Sequence, residues 1–474
     1  MPDALLRFER SRLQIVWNGS LAHYSSIRIV HPAVFLSLLA SLFLPVGVSN
    51  AAGSEAVPNI VLFAIRSLGW GDIGVGEDRR VSTPNLQRIK SEGLCFDRFY
   101  LDHTKEDWNF HTLLTGKVRI ADRQGSSGDP SDFEASDLPV SKLLKTAGYK
   151  TGFIGFWPGG GEGRPGHPVR QGFDEFVGQL DPFEAEKPYP GWIRRNESKL
   201  MIFENRSQNR VNRYVEEILK DAAWNFIRIN QPQSYAMDRR FFLCYSPFAP
   251  SVSQTRWQAE GNGMFCPDLH QFAEKDWPTP EKYKAAMLQD LDYRIGSLME
   301  RIAKMEVPGN TAVIVVGLSG AHSEGGTSAE FLSSNGVLRG QRGTLNEGGL
   351  RVPAMVWWPA RVESGISNVP VSLKNVASTI AALAGQGNLS RAPSLLAGTD
   401  ALREQAPLVW QLQGDAPVKA VVSGNWKLIS HGKPGRVELY ELDSDPGEQN
   451  DLSASYPEVA ERLKDDLVLA GAED

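Results

Sequence analysis

Ile60-Val61-Leu62-Phe63-Ala64-Ile65 is an unbroken apolar run. A strand with one wet face alternates apolar and polar residues, so a run without polar interruption marks a strand buried on both faces. The same texture returns in Gly152–Trp157 (GFIGFW), Phe241–Ser246 (FFLCYS), Thr311–Leu318 (TAVIVVGL) and Ala354–Trp358 (AMVWW). Between these runs the apolar period lengthens to that of a helix. Val215, Ile218, Leu219, Ala222, Phe226 and Ile227 form one stripe; Met287, Leu291, Ile295, Leu298 and Ile302 form another. Buried strands alternating with amphipathic helices predict an α/β fold, a large and mostly parallel sheet with helices on both faces.

After Gly385 the texture changes. Leu389–Gln405 is rich in Ala, Pro, Ser and Gly and reads as a connection. Short strand-like pieces follow at Val418–Ser423, Trp426–Ser430 and Arg436–Leu442, separated by the turn signals Gly424-Asn425 and Gly432-Lys433-Pro434-Gly435. Pro457–Leu469 closes the chain as a helix, with Val459, Leu463 and Leu467 four apart. These pieces predict a small C-terminal antiparallel sheet with one helix. The expected divisions are 1–56, 57–395 and 405–474.

The first division has the pattern of a targeting segment. Pro32–Val48 (PAVFLSLLASLFLPVGV) is apolar, Arg28 precedes it and Ser49-Asn50-Ala51-Ala52 follows, which matches a signal peptide. The run is short for a bilayer span, with a retained anchor as the alternative. Met1–His31 is long for a leader. The expectation is an exported protein (periplasmic, secreted or cell-surface) with no membrane span after removal of the signal. The chain of 474 residues carries a formal charge of −6, so there is no basic excess to follow a nucleic-acid backbone. The three cysteines, Cys95, Cys244 and Cys266, fit no zinc spacing. Cys244 lies inside an apolar strand and reads as a buried, inert thiol.

In open α/β sheets ligands bind beyond the carboxyl ends of the strands. Those ends deliver Arg66 and Ser67, then Phe156, Trp157 and Pro158, then Pro247–Ser251, then Leu318, Ser319 and Gly320. Metal-assisted hydrolysis needs several carboxylates around one ion, and covalent catalysis needs a nucleophile beside a base. Neither set stands at these ends.

Motifs along the chain carry a resemblance. Pro58-Asn59-Ile60-Val61-Leu62 with Leu68-Gly69-Trp70-Gly71-Asp72, Thr83-Pro84-Asn85-Leu86, Leu113-Leu114-Thr115-Gly116, Ala147-Gly148-Tyr149 and Gly172-Phe173-Asp174-Glu175 resemble the sulfatase family, within the alkaline-phosphatase-like superfamily. So do Leu338-Arg339-Gly340, Gly343-Thr344-Leu345 and Glu347-Gly348-Gly349-Leu350-Arg351-Val352-Pro353, then Trp426-Lys427-Leu428-Ile429, Glu438-Leu439-Tyr440 and Asp445-Pro446-Gly447-Glu448. The resemblance implies hydrolysis of sulfate esters by a formylglycine made from Cys or Ser, with a calcium ion held by an Asp-Asp and an Asp-Asn pair. Aligned through the flanking motifs, the Asp-Asp pair falls on Arg66 and Ser67, and the Asp-Asn pair on Leu318 and Ser319. The C-x-P-S-R signature falls on Glu106-Asp107-Trp108-Asn109-Phe110, so the nucleophile is Glu106 and the signature Arg is Phe110. The Lys and His of G-K-W-H become Phe156 and Pro158, a further His becomes Ser251, and the late Lys becomes Arg342.

A glutamate cannot be oxidised to an aldehyde, and a guanidinium cannot ligate calcium. The reading is a pseudoenzyme of this family with no cofactor. Glu106 and Arg66 are expected to pair where nucleophile and metal would stand; the alternative has each pointing to solvent. Leu318, Phe110, Phe156 and Pro158 would add apolar filling. A sulfated or other anionic glycan could engage Arg342 and Arg66, and a protein partner is a further possibility. One rival is a hydrolase with a site rebuilt from Asp102, His103, Glu106, Asp107 and His111, joined by His322 and Glu324, since Asp107 and His111 share a helix face. The other is an interaction protein with a filled pocket. Gly159–Gly163 reads as a loop, Asn196, Asn205 and Asn388 as glycosylation acceptors, and Trp257, Trp277, Trp357 and Trp358 as packing or sugar-stacking residues.

Overall fold

The computed structural model describes residues 57–74, 80–118, 132–206, 212–233, 238–305, 310–387, 389–412, 417–432 and 435–472. Asn59–Ile65 forms a strand with every residue buried. Its side chains alternate between two cores because strand residues point to opposite faces in turn. Val61, Phe63 and Ile65 enter one core, where Leu219 and Phe226 of helix Val215–Asn230 and Leu291 and Ile295 of helix Thr279–Ala303 meet them. Ile60, Leu62 and Ala64 enter the other, with Leu113 and Leu114 of helix Glu106–Thr115 and Val376 and Ile380 of helix Leu373–Leu383. Polar residues have no place on either side, which is why the run is unbroken.

Among the described residues, ten strands form one sheet. Their order is Gly365–Ser367, Leu94–Phe96, Ala354–Trp357, Thr311–Gly317, Asn59–Ile65, Phe241–Ser246, Lys150–Phe156, Glu175–Gln179, Trp192–Arg195 and Ser198–Met201. The five strands from Thr311–Gly317 to Glu175–Gln179 run parallel. Ala354–Trp357 pairs antiparallel with Thr311–Gly317, and the Trp192–Arg195 and Ser198–Met201 hairpin is antiparallel at the other edge. The architecture is therefore α/β with a mostly parallel sheet and helices on both faces.

A second sheet follows, with Leu408–Leu412, Val418–Ser423, Trp426–His431 and Val437–Glu441 antiparallel in that order. Helix Pro457–Ala472 covers one face, where Ala460, Leu463 and Leu467 meet Val421, Leu428 and Leu439. The opposite face packs Trp410, Val422 and Tyr440 against Tyr100, Leu345 and Leu350 of the larger part. The same joint holds a buried charge cluster. Lys427 Nζ lies 2.8 Å from both Glu347 Oε1 and Glu448 Oε1, with all three side chains fully buried. The Tyr100 hydroxyl donates to Glu347 Oε2 at 2.9 Å.

The segments Met1–His31 and Pro32–Val48 and the acceptor Asn388 lie outside the described residues. No helix among the described residues is long and apolar enough to cross a membrane. All three cysteines are buried and unpaired. Burial raises the Cys244 thiol far above its ordinary value.

Candidate functional site

Helix Glu106–Thr115 begins at the carboxyl ends of the central strands. Its first turn carries Glu106 and Asp107, the sign that suits the positive end of a helix. Gly116 ends it in the left-handed conformation, at φ 67°. Asn109 anchors the start: its side-chain amide donates to the Leu318 carbonyl at 3.2 Å and the His103 carbonyl at 2.8 Å. The anchored helix brings Glu106 against the residues that follow strands Asn59–Ile65 and Thr311–Gly317.

The ion pair forms. Arg66 Nε lies 2.8 Å from Glu106 Oε1, and Arg66 Nη1 donates to Asp107 Oδ1 at 3.0 Å. The guanidinium lies over the Phe156 ring, 4.9 Å from its centre. Burial alone would lower the Arg66 pKa, but the carboxylates of Glu106 and Asp107 raise it. The Ser319 hydroxyl accepts from the Ser67 backbone N–H at 3.0 Å and donates to Glu106 Oε2 at 2.9 Å. Arg342 Nη1 donates to the same oxygen at 3.2 Å, while Arg342 Nη2 reaches Glu324 Oε2 at 2.5 Å. Gln254 Nε2 donates to Glu324 at 3.0 Å. The Ser67 and Ser251 hydroxyls are 3.4 Å apart.

The other pocket positions are apolar filling. Leu318 is buried, and Phe110 packs edge-on against Phe153 and Trp157 at 5.7 and 5.1 Å between ring centres. Pro158 is half-buried. Above the Arg66–Glu106 pair opens a cleft of about 620 Å³, with Thr104, Lys105, Trp108 and Glu324 around it. Lys105 is exposed and its Nζ sits 4.5 Å from the Trp108 ring centre. A larger groove of about 1060 Å³ runs between the Gly365–Ser367 edge and the Ser423–Asn425 turn. It lies away from the carboxyl ends of the central strands, so the smaller cleft is the candidate site.

The positions at which the resemblance implies calcium do not suit it. Calcium takes six to eight hard oxygens, several of them anionic. Arg66 and Leu318 offer none, Ser67 and Ser319 offer neutral hydroxyls, and the Glu106 carboxylate is held by two guanidiniums.

Spacing of four linked His103, Asp107 and His111 in the sequence; the structure keeps His103 near His111 but gives each of the three a different partner. Asp107 turns to Arg66. His111 is buried and its Nε2 lies 3.2 Å from Asp137 Oδ2. The His103 ring stands edge-on to Trp108 at 5.4 Å. Asp102 caps helix Leu373–Leu383 through the Ser372 hydroxyl at 2.9 Å and the Lys374 N–H at 3.3 Å. His322 is buried, and its Nδ1 accepts from the Glu324 N–H at 3.2 Å. Among the described residues no three of His, Cys, Asp and Glu gather as metal ligands would. Several other sequence candidates make contacts within the fold. Glu162 of the Gly159–Gly163 loop pairs with Arg194. The Asn205 side-chain N–H groups are both engaged by backbone carbonyls, of Pro190 and Arg213 at 2.9 Å. Trp277 stacks on Phe272, and Trp357 donates to Glu92 at 3.0 Å. Glu324, which the sequence offered with His322 as an addition to a rebuilt site, instead holds Arg342. Gln254 and the Lys105–Trp108 pair escaped the sequence reading, because no spacing links them to the strand ends.

The two histidines give a pH dependence. Burial, then the neighbouring His111, pushes His103 down to about 4 from 6.5. Burial, then the charges of Arg342 and Lys284, holds His322 well below the ordinary value. The unfolded chain takes up these protons first, so stability is full above the ordinary imidazole range and is lost as pH falls. Each histidine contributes a slope of at most about 1.4 kcal/mol per pH unit. Urea unfolding of the wild type and of His103→Gln at pH 7 and pH 5 checks this. Equal pH slopes for the two proteins would exclude a contribution from His103.

A mostly parallel α/β sheet, with its cleft at the strand ends and a small antiparallel sheet appended, defines an alkaline-phosphatase-like fold. The sulfatase family profile matches residues 58–386. The chain belongs to the sulfatase family. It is 29% identical over 480 residues to human N-acetylgalactosamine-6-sulfatase, covering 87% of this chain and 85% of that protein. It is 27% identical over 466 residues to human arylsulfatase A, covering 86% of each. The solved structure of Ps i-CgsB in complex with k-i-k-neocarrahexaose shares the fold, with a TM-score of 0.70 and 22% identity over 88% of this chain and 92% of that one.

Proposed function

We propose that this protein is an exported, non-catalytic member of the sulfatase family whose cleft binds a glycan. The observation that carries the reading is the Arg66–Glu106–Arg342 chain of contacts at 2.8 and 3.2 Å. It stands where the resemblance implies nucleophile and metal. This carboxylate is engaged by two guanidiniums and a serine hydroxyl, and a glutamate is no precursor of an aldehyde. The arrangement binds charge and performs no hydrolysis. Export is supported by the Pro32–Val48 segment. Glycan binding is supported by the open cleft, by Trp108 and exposed Lys105 at its rim, and by the sugar-bound neighbour of the same fold. The ligand class is a sulfated or otherwise anionic glycan met by Lys105. Arg66 and Arg342 join it only when freed from Glu106.

The test is metal content by elemental analysis after dialysis against calcium and against zinc, combined with an assay for release of sulfate from an aryl sulfate. The expected outcome is no stoichiometric metal and no turnover. One equivalent of tightly held metal together with turnover, both lost on changing His103, Asp107 or His111, would overturn the reading in favour of a rebuilt hydrolase.

A further inference from the structure

An oxyanion site in a protein is built from guanidinium forks, a hydroxyl donor and the start of a helix. The Glu106 carboxylate has one nitrogen of each of two guanidiniums, one hydroxyl donor and a place in the first turn of a helix. Arg66 Nε, the Ser319 hydroxyl and Arg342 Nη1 approach it at 2.8, 2.9 and 3.2 Å. It belongs to the first residue of a ten-residue helix. Two hydrogen bonds and one ion-pair contact thus surround the carboxylate, all supplied by the chain that carries it.

The donors are held from outside. The Ser67 N–H, donating to the Ser319 hydroxyl at 3.0 Å, leaves that hydroxyl's proton free to point at Glu106. Asp107 and the Phe156 ring fix Arg66. Glu324, itself held by Gln254, fixes Arg342. None of these supports passes through Glu106. Charge leads to the same conclusion. Around the cleft Arg66, Lys105 and Arg342 balance Glu106, Asp107 and Glu324. Shortening Glu106 leaves one positive charge unmatched and a space of carboxylate size.

We propose that Arg66, Ser319 and Arg342 form an oxyanion site that the chain occupies with its own Glu106, and that the site takes a free, singly charged carboxylate or sulfate monoester once Glu106 is shortened. The inference rests on the reading above, in which Glu106 is not a nucleophile. It adds that the deep end of the native cleft is closed to sulfated sugars by an internal ligand. A guanidinium, Arg66, supplies the positive charge at a position where the resemblance implies calcium.

The experiment is thermal unfolding of the whole mature protein and of Glu106→Ala, titrated with sodium formate, sodium acetate and sodium methyl sulfate against sodium chloride at constant ionic strength. The variant should show a saturable rise in Tm of about 1–3 °C over chloride at saturating anion. The wild type and Glu106→Gln, whose amide fills the same volume, should show none. Adding Arg66→Met to Glu106→Ala should remove the response. Rescue by formate and acetate alone supports a carboxylate site; rescue by methyl sulfate as well extends it to sulfate esters. Equal responses in wild type and Glu106→Ala, or a response that survives Arg66→Met, would overturn the proposal. Where Glu106→Ala is unfolded in chloride, Glu106→Ser and refolding in formate decide: recovery of folded protein supports the site, and its absence in both variants counts against it. Sulfate ester turnover by the wild type would sink the non-catalytic reading itself. Absence of rescue with an inert wild type sinks the internal-ligand proposal alone.

Discussion

Replacing Lys427 by Met is expected to lower the free energy of unfolding by about 3–5 kcal/mol, the cost of leaving buried charge without its partner. The ammonium sits between Glu347 and Glu448, 2.8 Å from each, with no exposure on any of the three. Burial alone would raise the Glu347 carboxyl, and Lys427 together with Arg351 more than offsets it, so this carboxylate is ionised. Burial lowers Lys427, and the two carboxylates raise it further still. Removing the ammonium therefore leaves at least one buried carboxylate with only the Tyr100 hydroxyl and the more distant Arg351, whose Nη1 is 3.6 Å away. Lys464→Met is the control. Its partner Glu461 is 2.6 Å away, but the two side chains are 39% and 70% exposed, and such surface pairs contribute about 0–1 kcal/mol. Urea unfolding of both variants makes the comparison. Because Lys427 joins the C-terminal sheet to the segment after Asn346, proteolysis of Lys427→Met should begin in the 389–407 connection. A loss below about 1 kcal/mol, or equal losses in the two variants, would show that the joint rests on the apolar contacts of Trp410 and Tyr440.

The sequence made the centre of the sheet legible and its margins illegible, for one reason. A pattern records burial. Asn59–Ile65, Phe241–Ser246 and Thr311–Gly317 are buried at every residue, and each reads as an unbroken apolar run. Ser198–Met201 is exposed at every residue, and Gly365–Ser367 at nearly every one, so neither carries a pattern. Leu408–Leu412 opens the second sheet just beyond the Ala- and Pro-rich connection, and its five residues were too few to stand out as a strand. Direction leaves no trace in periodicity either. Ala354–Trp357 was read as one more strand of the set, and its antiparallel pairing with Thr311–Gly317 came only with the structure.

The site divides along the same line. The meeting of Arg66 and Glu106 could be inferred because motifs on both sides of each residue fixed which strand end and which helix start they occupy. The partner of Asp107 could not. Spacing of four says that Asp107 and His111 share a helix face, but not that Arg66 across the cleft takes the first and Asp137 takes the second. A full hydrogen bond to a charged group contributes about 1.5–3 kcal/mol, which exceeds the few tenths of a same-face contact on a helix. Spatial neighbours therefore override periodicity here. Arg342 shows the converse. Its link to Glu106 joins residues 236 apart in sequence, and only its position in the late motif hinted at the cleft.

Shortening Glu106 to Ala in chloride buffer is expected to cost about 3–5 kcal/mol, and the reason can be tested by what restores it. The variant leaves a space where the carboxylate was, two guanidiniums facing each other across it, and the Ser319 hydroxyl without its acceptor. Arg66→Met should cost less, about 1–3 kcal/mol, because Glu106 keeps Arg342 and Ser319 and the half-exposed Asp107 turns to water. The double variant Arg66→Met with Glu106→Leu separates charge from packing. Both new side chains would lie beside Phe156 and Leu318, which already make this wall apolar, while Arg342 retains Glu324. Apolar replacement of a buried pair is often neutral, so the double variant should fall within about 1 kcal/mol of the wild type. A double-mutant cycle by urea unfolding, with Glu106→Leu and Arg66→Met as its single variants, gives the coupling directly. Losses in the double variant that equal the sum of the single losses would mean that Arg66 and Glu106 do not depend on one another. The two charges would then each be held by other partners, and the charge-for-metal substitution would lose its physical basis.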